Sequence, residues 1–507
     1  MRLTELTGPI GASGHPRPSP SPDPEPDLEP DLEPDLEIVG LTADSRQVKP
    51  GFLFAALRGT ARDGRAFAGE AAARGAVAIL TDDAAALTLE PPQRGRLAII
   101  TDANPQRRLA LFAARFYRRQ PRVVAAVTGT NGKTSVAHFT REIWEGIGLA
   151  AASLGTLGLV SPQGHLPGAL TTPDPVALHR DLAALAEAGT EHVALEASSH
   201  GLAQFRLDGV AVAAAAFTNL TRDHLDYHRD MATYRAAKER LFTALLAPQG
   251  TAILNADSPE FARLRALCGE RGHPVIAYGG APSCELRLLE CAPRPLGQRL
   301  ATELFGERHD IDVPLVGAFQ AMNMLAALGL VVATGGALAA ALPVLPTLSG
   351  VPGRLQLVGE TASGAAVFVD YAHTPDALAT VLAALRPHTT GRLAIVFGAG
   401  GDRDRGKRAL MGRVAAERAD RAYVTDDNPR SEDPAAIRRA IRAAAPQSIE
   451  IGDRGAAITA AVAELRRGDV LLIAGKGHES GQIVGADILP FDDVVVARQA
   501  LAAAARG

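Results

Sequence analysis

Cysteine is scarce in this chain, with only Cys268, Cys284 and Cys291 among 507 residues. Their number is odd and none forms a Cys-x-x-Cys pair, which argues against a disulfide framework or a structural zinc site and suits a reducing cytosol. An excess of basic charge is lacking too. Charged residues make up 21% of the chain and the formal net charge is −4, so nothing resembles an electrostatic footprint for nucleic acid. The N-terminus has no apolar stretch of the kind that opens a signal peptide, and none is expected. Charge is absent altogether from Pro314 to Pro352, a length nominally able to span a bilayer. Gly317, Gln320, Asn323, Thr334, Gly335, Gly336 and Pro343 interrupt that stretch, so two buried Ala/Leu-rich helices around a turn are expected, without membrane insertion.

The length suits about three domains of ordinary size. Before them, residues 1–37 read as a disordered, acidic, proline-rich arm. It ends in three copies of Pro-Asp-Leu-Glu starting at Pro26, Pro30 and Pro34. Repeated proline removes backbone donors, and clustered carboxylates repel one another and extend the chain. No catalysis is assigned to it.

The stretch that organises the remainder is Val123-Val124-Ala125-Ala126-Val127-Thr128-Gly129-Thr130-Asn131-Gly132-Lys133-Thr134-Ser135. Small and β-branched apolar residues read as a buried strand. After the glycine turn, Val136, Phe139, Ile143, Trp144 and Ile147 recur at helical spacing. Such a turn cradles phosphate: backbone N–H groups and the helix dipole face the anion, Lys133 adds a charge, and a hydroxyl of Thr134 or Ser135 reaches Mg²⁺. ATP is therefore expected on Gly129, Thr130, Asn131, Gly132, Lys133, Thr134 and Ser135. Valine at 127 departs from the commoner G-x-x-x-x-G-K-[ST] loop.

Two further apolar runs in the central region, 122–350, end in polar residues. Val193-Ala194-Leu195 leads to Glu196-Ala197-Ser198-Ser199-His200, and Ala211 to Phe217 leads to Thr218-Asn219-Leu220-Thr221-Arg222-Asp223-His224. Open α/β sheets bind ligands beyond the carboxyl ends of their strands. Glu196 and His224 are thus expected along one crevice with Lys133, where a carboxylate and an imidazole can hold Mg²⁺ beside phosphates. Residues 38–121 read as a small α/β domain. From 351 to the C-terminus, βα alternation brings four strands to polar loops beginning at Asp370, Gly398, Asp426 and Gly475. A second binding face at one sheet edge follows. The Gly350–Arg354 link would be a hinge. The fold class is α/β in three domains: a small α/β domain, a central phosphate-loop ATP-binding domain and a C-terminal Rossmann-like domain.

The loop T-G-T-N-G-K-T-S resembles that of the Mur ligase and folylpolyglutamate synthetase superfamily. D-S-R at Asp44–Arg46, P-G-x-L-F at Pro50–Phe54 and the later D-G at Asp63–Gly64 resemble the uridine-nucleotide domain of Mur ligases. The runs D-Y-A-H-T-P-D-A-L from Asp370, G-G-D-R-D-x-G-K-R from Gly400 and G-K-G-H-E from Gly475 resemble the UDP-N-acetylmuramoyl-tripeptide synthetases among them. The resemblance runs from Thr42 to about Asp493. It implies an ATP-dependent ligase that adds an amino acid to the γ-carboxylate of D-glutamate in UDP-MurNAc-L-Ala-D-Glu through an acyl phosphate. D-N-P-R at Asp427–Arg430 resembles the enzymes that add meso-diaminopimelate, whose second carboxylate a guanidinium grips in bidentate fashion.

The same resemblance implies the remaining site residues. Ala43 and Ser45 would meet the uracil–ribose end, and Thr60, Ala61 and Arg62 the diphosphate and sugar. Leu170, Thr171, Thr172, Ser198, Gln204 and Arg206 would complete the acceptor site. Asn323 would meet adenine, although Gln320 departs from the family's first asparagine there. Asp370 would hold the ATP ribose, with Arg354 and His373 near the phosphates. Arg403, Asp427, Asn428, Pro429, Arg430, Gly475 and Glu479 would bind diaminopimelate, Glu479 suiting an ammonium. Lys133, Glu196, His224 and Lys238 would be catalytic. Two Mg²⁺ ions would be held by Thr134 or Ser135, Glu196, His224 and a carboxylated Lys238, whose deprotonation the metal ions would favour. Ala399 stands where a cysteine is common, a small-for-small change. Small-molecule substrates, a cytoplasmic location and a monomer are expected. The rival readings are a folylpolyglutamate synthetase-like ligase and an ATP-gated scaffold protein.

Overall fold

The computed structural model describes residues 1–8, 27–28, 36–59, 62–168, 170–294 and 296–505. Two compact units emerge, residues 1–284 with 326–341, and residues 285–325 with 342–507. This grouping differs from the division expected at 121/122 and 350/351. The antiparallel strands Leu286–Arg294, Gly297–Leu304 and Glu307–Val313 fall in the second unit. The uncharged stretch folds as helix Ala318–Ala333, short helix Leu338–Ala341 and the turn Leu342–Thr347. Among the described residues no helix is long and apolar enough to cross a membrane.

The first unit opens with a small sheet. Strands Gly40–Thr42, Phe52–Ala55, Ala78–Thr81 and Ala98–Thr101 run parallel in that order. The expectation of a structureless arm fails at its start. Leu3–Thr7 is a helix, Leu3 and Leu6 are buried, and both join Leu109 and Phe112 in one core. Met1 donates its N-terminus to the Ile38 carbonyl at 3.0 Å, and Arg115 donates to the Leu6 carbonyl at 2.7 Å. Residues 1–8 lack the proline and carboxylate density of the following segment, and leucines three apart share one helical face. Asp27–Leu28 also departs from that expectation, pairing antiparallel with Thr101 and Ile100. Two residues of the repeat suffice to add backbone hydrogen bonds at the sheet edge. The rest of the expected arm, 9–26 and 29–35, lies outside the described residues, as do Thr60 and Ala61.

The larger sheet of this unit carries the phosphate loop. In order, its strands are Val275–Gly279, Leu246–Asn255, Val212–Phe217, Val123–Thr128, His192–Glu196 and Ala151–Gly155, all parallel. Two antiparallel strands, Gly158–Ser161 and Gly164–Leu166, extend that last edge. Val123–Thr128 is buried at every position, as a central parallel strand covered on both faces must be. Register then decides the site. Glu196 pairs with Val127 and Phe217 with Thr128, so three strands end level and their following loops share one edge.

In the second unit Ala366–Asp370, Val470–Ala474, Leu393–Phe397, Arg421–Val424 and Ile449–Glu450 are parallel neighbours in that order, with Gln356–Glu360 antiparallel outside Asp370's strand. Apolar clusters cover both faces, one around Phe368, Leu382 and Phe397, the other around Val369, Ile458 and Ile473. The four expected polar loops leave one edge of this sheet, because four adjacent strands point the same way. A two-stranded ribbon, Gly481–Val484 with Asp487–Pro490, follows the last loop.

Candidate active site

In the first unit, Gly129 has φ +150° and Gly132, capping helix Lys133–Gly146, has φ +89°. A Cβ on Gly129 would stand 1.9 Å from the Thr218 hydroxyl, so only glycine lets the loop turn there. Asn219 fastens the loop by accepting from the Asn131 N–H at 3.0 Å. The Thr130 hydroxyl donates to the Thr221 carbonyl at 3.2 Å and accepts from the Thr221 N–H at 3.0 Å. Lys133 Nζ folds back on the loop, 3.0 Å from the Gly129 carbonyl and 2.8 Å from that of Thr130.

Glu196 is 2% exposed and enters the same edge. The Thr134 hydroxyl donates to its Oε2 at 3.0 Å, and the Thr156 N–H donates to its Oε1 at 2.7 Å. Sequence reading left Thr134 and Ser135 open. Thr134 is the residue beside the carboxylate, whereas Ser135 is buried next to it on the helix. Thr156 was missed, although its place directly after strand Ala151–Gly155 was the available signal. A Cβ on Gly155 would lie 2.1 Å from Glu196 Oε1, so that glycine makes room for the carboxylate.

Lys238 lies on helix Met231–Arg240 and is 2% exposed. Its Nζ donates to the Gly129 carbonyl at 2.7 Å and sits 4.4 Å from the centre of the Tyr234 ring. Burial pushes its amine down to about 6, the Lys133 charge adds to that shift, and Asp223 opposes it. Desolvation is the first cause of that shift and neighbouring positive charge the second, so burial adds to the charge effect that was expected. Tyr234, whose hydroxyl is 3.1 Å from that of Thr130, is pushed up to about 12 by burial.

His224 lies seven residues beyond strand Val212–Phe217, with its ring 6.3 Å from that of Tyr234. It precedes the short helix Leu225–His228 with φ +52°, its Nε2 3.4 Å from Asp223 Oδ2 and its ring 4.9 Å from that of His200. The polar loop after Phe217 carries it onward before the chain turns. Among the described residues no three His, Cys, Asp or Glu side chains gather in a metal-binding group. The oxygens of Thr134 and Glu196 are nevertheless the hard donors that magnesium prefers.

Several expected acceptor-site residues form one network. The Thr172 hydroxyl donates to the Glu196 carbonyl at 2.7 Å and accepts from the Ser198 N–H at 3.0 Å. Thr171 meets the Thr156 hydroxyl at 3.0 Å. Arg206 donates to the Thr172 carbonyl and to Gln204 Oε1, both at 2.6 Å. Leu170 is exposed nearby in sequence. In the small domain Ala43 and Arg62 are exposed, while the buried Ser45 hydroxyl donates to Glu70 at 3.1 Å.

In the second unit Asp370 accepts from the Leu355 and Ala372 N–H groups, each at 2.7 Å, and burial raises its pKa. Arg354 lies over the Tyr371 ring at 4.5 Å, and His373, lowered by burial, is held 2.8 Å from the Tyr371 carbonyl. Asn323 donates to Gln320 Oε1 at 2.9 Å, so the glutamine at the departing position contacts the asparagine directly.

The loops after three other strands meet around Gly400, Asn428 and Glu479. Arg430, at φ +52°, donates to the Gly401 carbonyl at 2.9 Å. A Cβ on Gly400 would lie 2.8 Å from Arg430 Nη1 and 3.8 Å from Arg403 Cγ, which puts both guanidinium side chains around one glycine. Pro429 backs onto Gly401, and Gly475, at φ +118°, passes Asp427 so closely that a Cβ there would stand 2.5 Å from Oδ2. Glu479 Oε2 accepts from Asn428 Nδ2 at 3.0 Å and from Lys476 Nζ at 3.3 Å. Sequence reading reserved Glu479 for a ligand's ammonium and passed over Lys476, which supplies an internal one. Its place inside G-K-G-H-E, next to the assigned Gly475, was the signal.

A parallel α/β sheet carrying a phosphate loop, with a second sheet edge rich in charged loops, defines the class of ATP-dependent ligases. A family model described as Mur ligase middle domain matches residues 127–331, and one described as Mur ligase, glutamate ligase domain matches 353–477. Another, described as Mur ligase family, catalytic domain, matches 37–117. The chain belongs to the Mur ligase family. It is 53% identical over 469 residues to UDP-N-acetylmuramoyl-L-alanyl-D-glutamate--2,6-diaminopimelate ligase of Bradyrhizobium diazoefficiens, across 92% of this chain and 95% of that protein. Identity to the ligase of the same name from Caulobacter vibrioides is 54% over 470 residues, with the same coverage. A solved structure of a ligase with that name superposes with a TM-score of 0.70 at 32% identity, covering 94% of this chain and 97% of the other.

Proposed function

We propose that this chain is an ATP-dependent ligase that joins meso-2,6-diaminopimelate to the γ-carboxylate of UDP-MurNAc-L-Ala-D-Glu in peptidoglycan precursor synthesis. The observation that carries this reading is identity above 50% with ligases of that name over 92% of the chain, a span that includes both the phosphate loop and the Asp427–Arg430 loop. Such a reaction belongs in the cytoplasm, where ATP and nucleotide-linked precursors are present.

Lys133 and the loop N–H groups bind the ATP phosphates, and Lys133 leaves the Gly129 and Thr130 carbonyls to follow the γ-phosphate. An oxygen of the acceptor's γ-carboxylate attacks the γ-phosphorus; ADP leaves and an acyl phosphate remains. The amine of diaminopimelate then attacks the acyl carbon, loses a proton, and inorganic phosphate departs as the amide forms. Positioning and charge stabilisation supply most of the rate of such a transfer. Thr134, with Ser135 beside it, Glu196, His224 and carboxylated Lys238 are the residues that would hold two Mg²⁺ ions. Bound there, magnesium would neutralise charge on the transferring phosphoryl group.

Lys238 suits carboxylation because its amine, held down to about 6 by burial, is largely unprotonated at neutral pH. The free amine adds to CO₂, giving a carbamate and releasing one proton. The Thr172, Gln204 and Arg206 network with Leu170, Thr171 and Ser198 binds the acceptor's peptide end, and Ala43, Ser45, Thr60, Ala61 and Arg62 its nucleotide end. Asn323, Asp370, Arg354 and His373 serve ATP. Arg403 and Arg430 take the carboxylate that distinguishes diaminopimelate from lysine, within the loops of Asp427, Asn428, Pro429, Gly475 and Glu479.

The test is ADP formation by purified protein with UDP-MurNAc-L-Ala-D-Glu, ATP and Mg²⁺, supplying meso-diaminopimelate or L-lysine in parallel. Turnover with diaminopimelate alone is expected. Turnover with lysine alone would overturn the specificity, and none with either would overturn the acceptor.

A further inference from the structure

Lys476 is fully buried, at 0% exposure, in the loop that carries Gly475 and Glu479. Its Nζ donates to Asn428 Oδ1 at 3.0 Å and to Glu479 Oε2 at 3.3 Å. A buried ammonium has donors only, so its two partners must each present an acceptor. That requirement settles which way the Asn428 amide points. Its Oδ1 faces the lysine and also accepts from the Ile483 N–H at 2.9 Å. The amide nitrogen is thereby turned to Glu479, where it donates to Oε2 at 3.0 Å. Both donors converge on one carboxylate oxygen. Glu479 is 34% exposed on its side chain, and Oε1 is the oxygen left to receive a ligand.

We propose that Lys476 is the positioning residue of the amino-acid site: it fixes the Asn428 amide and turns one defined oxygen of Glu479 toward the substrate's ammonium. The inference rests on the diaminopimelate reading and adds a residue to it. Lys476 does not touch substrate; it acts through Asn428 and Glu479. Without it Asn428 Oδ1 keeps only the Ile483 N–H, and Glu479 Oε2 keeps one of its two donors, so both side chains are held less firmly. The cost then falls on binding the amino acid, and ATP and the UDP-linked acceptor are unaffected.

The test compares the full-length wild type, Lys476→Met, Lys476→Gln, Glu479→Gln and the double variant Lys476→Met/Glu479→Gln, all with ATP, Mg²⁺ and UDP-MurNAc-L-Ala-D-Glu. Wild-type turnover with diaminopimelate is the separate check on the underlying reading. The expected result is a rise in KM for diaminopimelate of about tenfold or more in Lys476→Met, with kcat within threefold and KM for ATP unchanged, a tenfold change being about 1.4 kcal/mol. The double variant should be no worse than the poorer single, because both changes disable the same oxygen. Lys476→Gln, which keeps a donor without the charge, decides the matter if the methionine variant does not fold, with a rise of threefold or more expected. A wild-type KM in either folded Lys476 variant, or losses that multiply in the double, would overturn the proposal while leaving the ligase reading intact.

Discussion

The two sheet edges proposed to face ligands are built on different principles. At the edge of the first unit's large sheet, one contiguous loop does most of the work through backbone groups, and the side chains it recruits are short or fold back on it. Lys133 lies on the loop's own carbonyls, and Thr134 reaches Glu196 one strand away. At the edge of the second unit's sheet the groups are long side chains from loops far apart in sequence, joined by hydrogen bonds such as Asn428 to Glu479. A phosphate is met by N–H dipoles that any glycine turn can present. An amino acid with two carboxylates and two ammonium groups needs separate charges at fixed spacing, which only side chains provide. Damage to the first edge should therefore abolish chemistry, and damage to the second should redirect it.

The largest effect is expected from Lys133→Ala, a loss of about 10³-fold or more in kcat with KM for diaminopimelate little changed. Turnover near wild type would break the phosphate-loop assignment. Lys238→Ala should cost on the order of 10²-fold, with partial recovery in added acetate, whose carboxylate stands in for the carbamate. No recovery, together with no mass increase on the wild-type lysine in bicarbonate, would argue against carboxylation. Arg430→Met belongs to the other edge. It should lower kcat/KM for diaminopimelate by about 100-fold, in line with loss of a charge-assisted bidentate contact, and narrow the preference over lysine. An unchanged preference would move the specificity away from Arg430.

Two smaller effects separate scaffold from site. Leu6→Ala should cost about 2 kcal/mol of stability by opening the core beneath the first small sheet, read in denaturant melts, with both edges kinetically intact. A silent substitution would mean that helix Leu3–Thr7 contributes nothing to the fold. His179, held down to about 4 by burial and close to the Asp208 carbonyl at 2.9 Å, sets a pH dependence. Between about 6.5 and about 4 the unfolded chain binds the proton that the folded chain refuses, so stability falls as pH drops through that window. Over one unit near pH 6 the loss attributable to His179 is about 1 kcal/mol. A His179→Gln variant with the wild-type slope would refute it.

Whatever is local or periodic was legible in the residues alone. The strand Val123–Thr128 and its glycine turn, the helix carrying Lys238, and the four strand-ending loops from Asp370 to Glu479 were all legible, because burial periodicity and glycine geometry are written in neighbouring residues. Tertiary structure decided the pairings. Thr156 reaches Glu196 only because Ala151–Gly155 lies beside His192–Glu196 in the sheet. His224 meets the rings of His200 and Tyr234 because backbone conformation, which motif order does not encode, sets where a loop residue points. Met1–Gly8 left the acidic arm for the core because two leucines found a partner face that lies about a hundred residues along the chain. Lys476 was invisible as a site residue because one lysine among many gains meaning only when burial removes its water and leaves it Asn428 and Glu479 as partners.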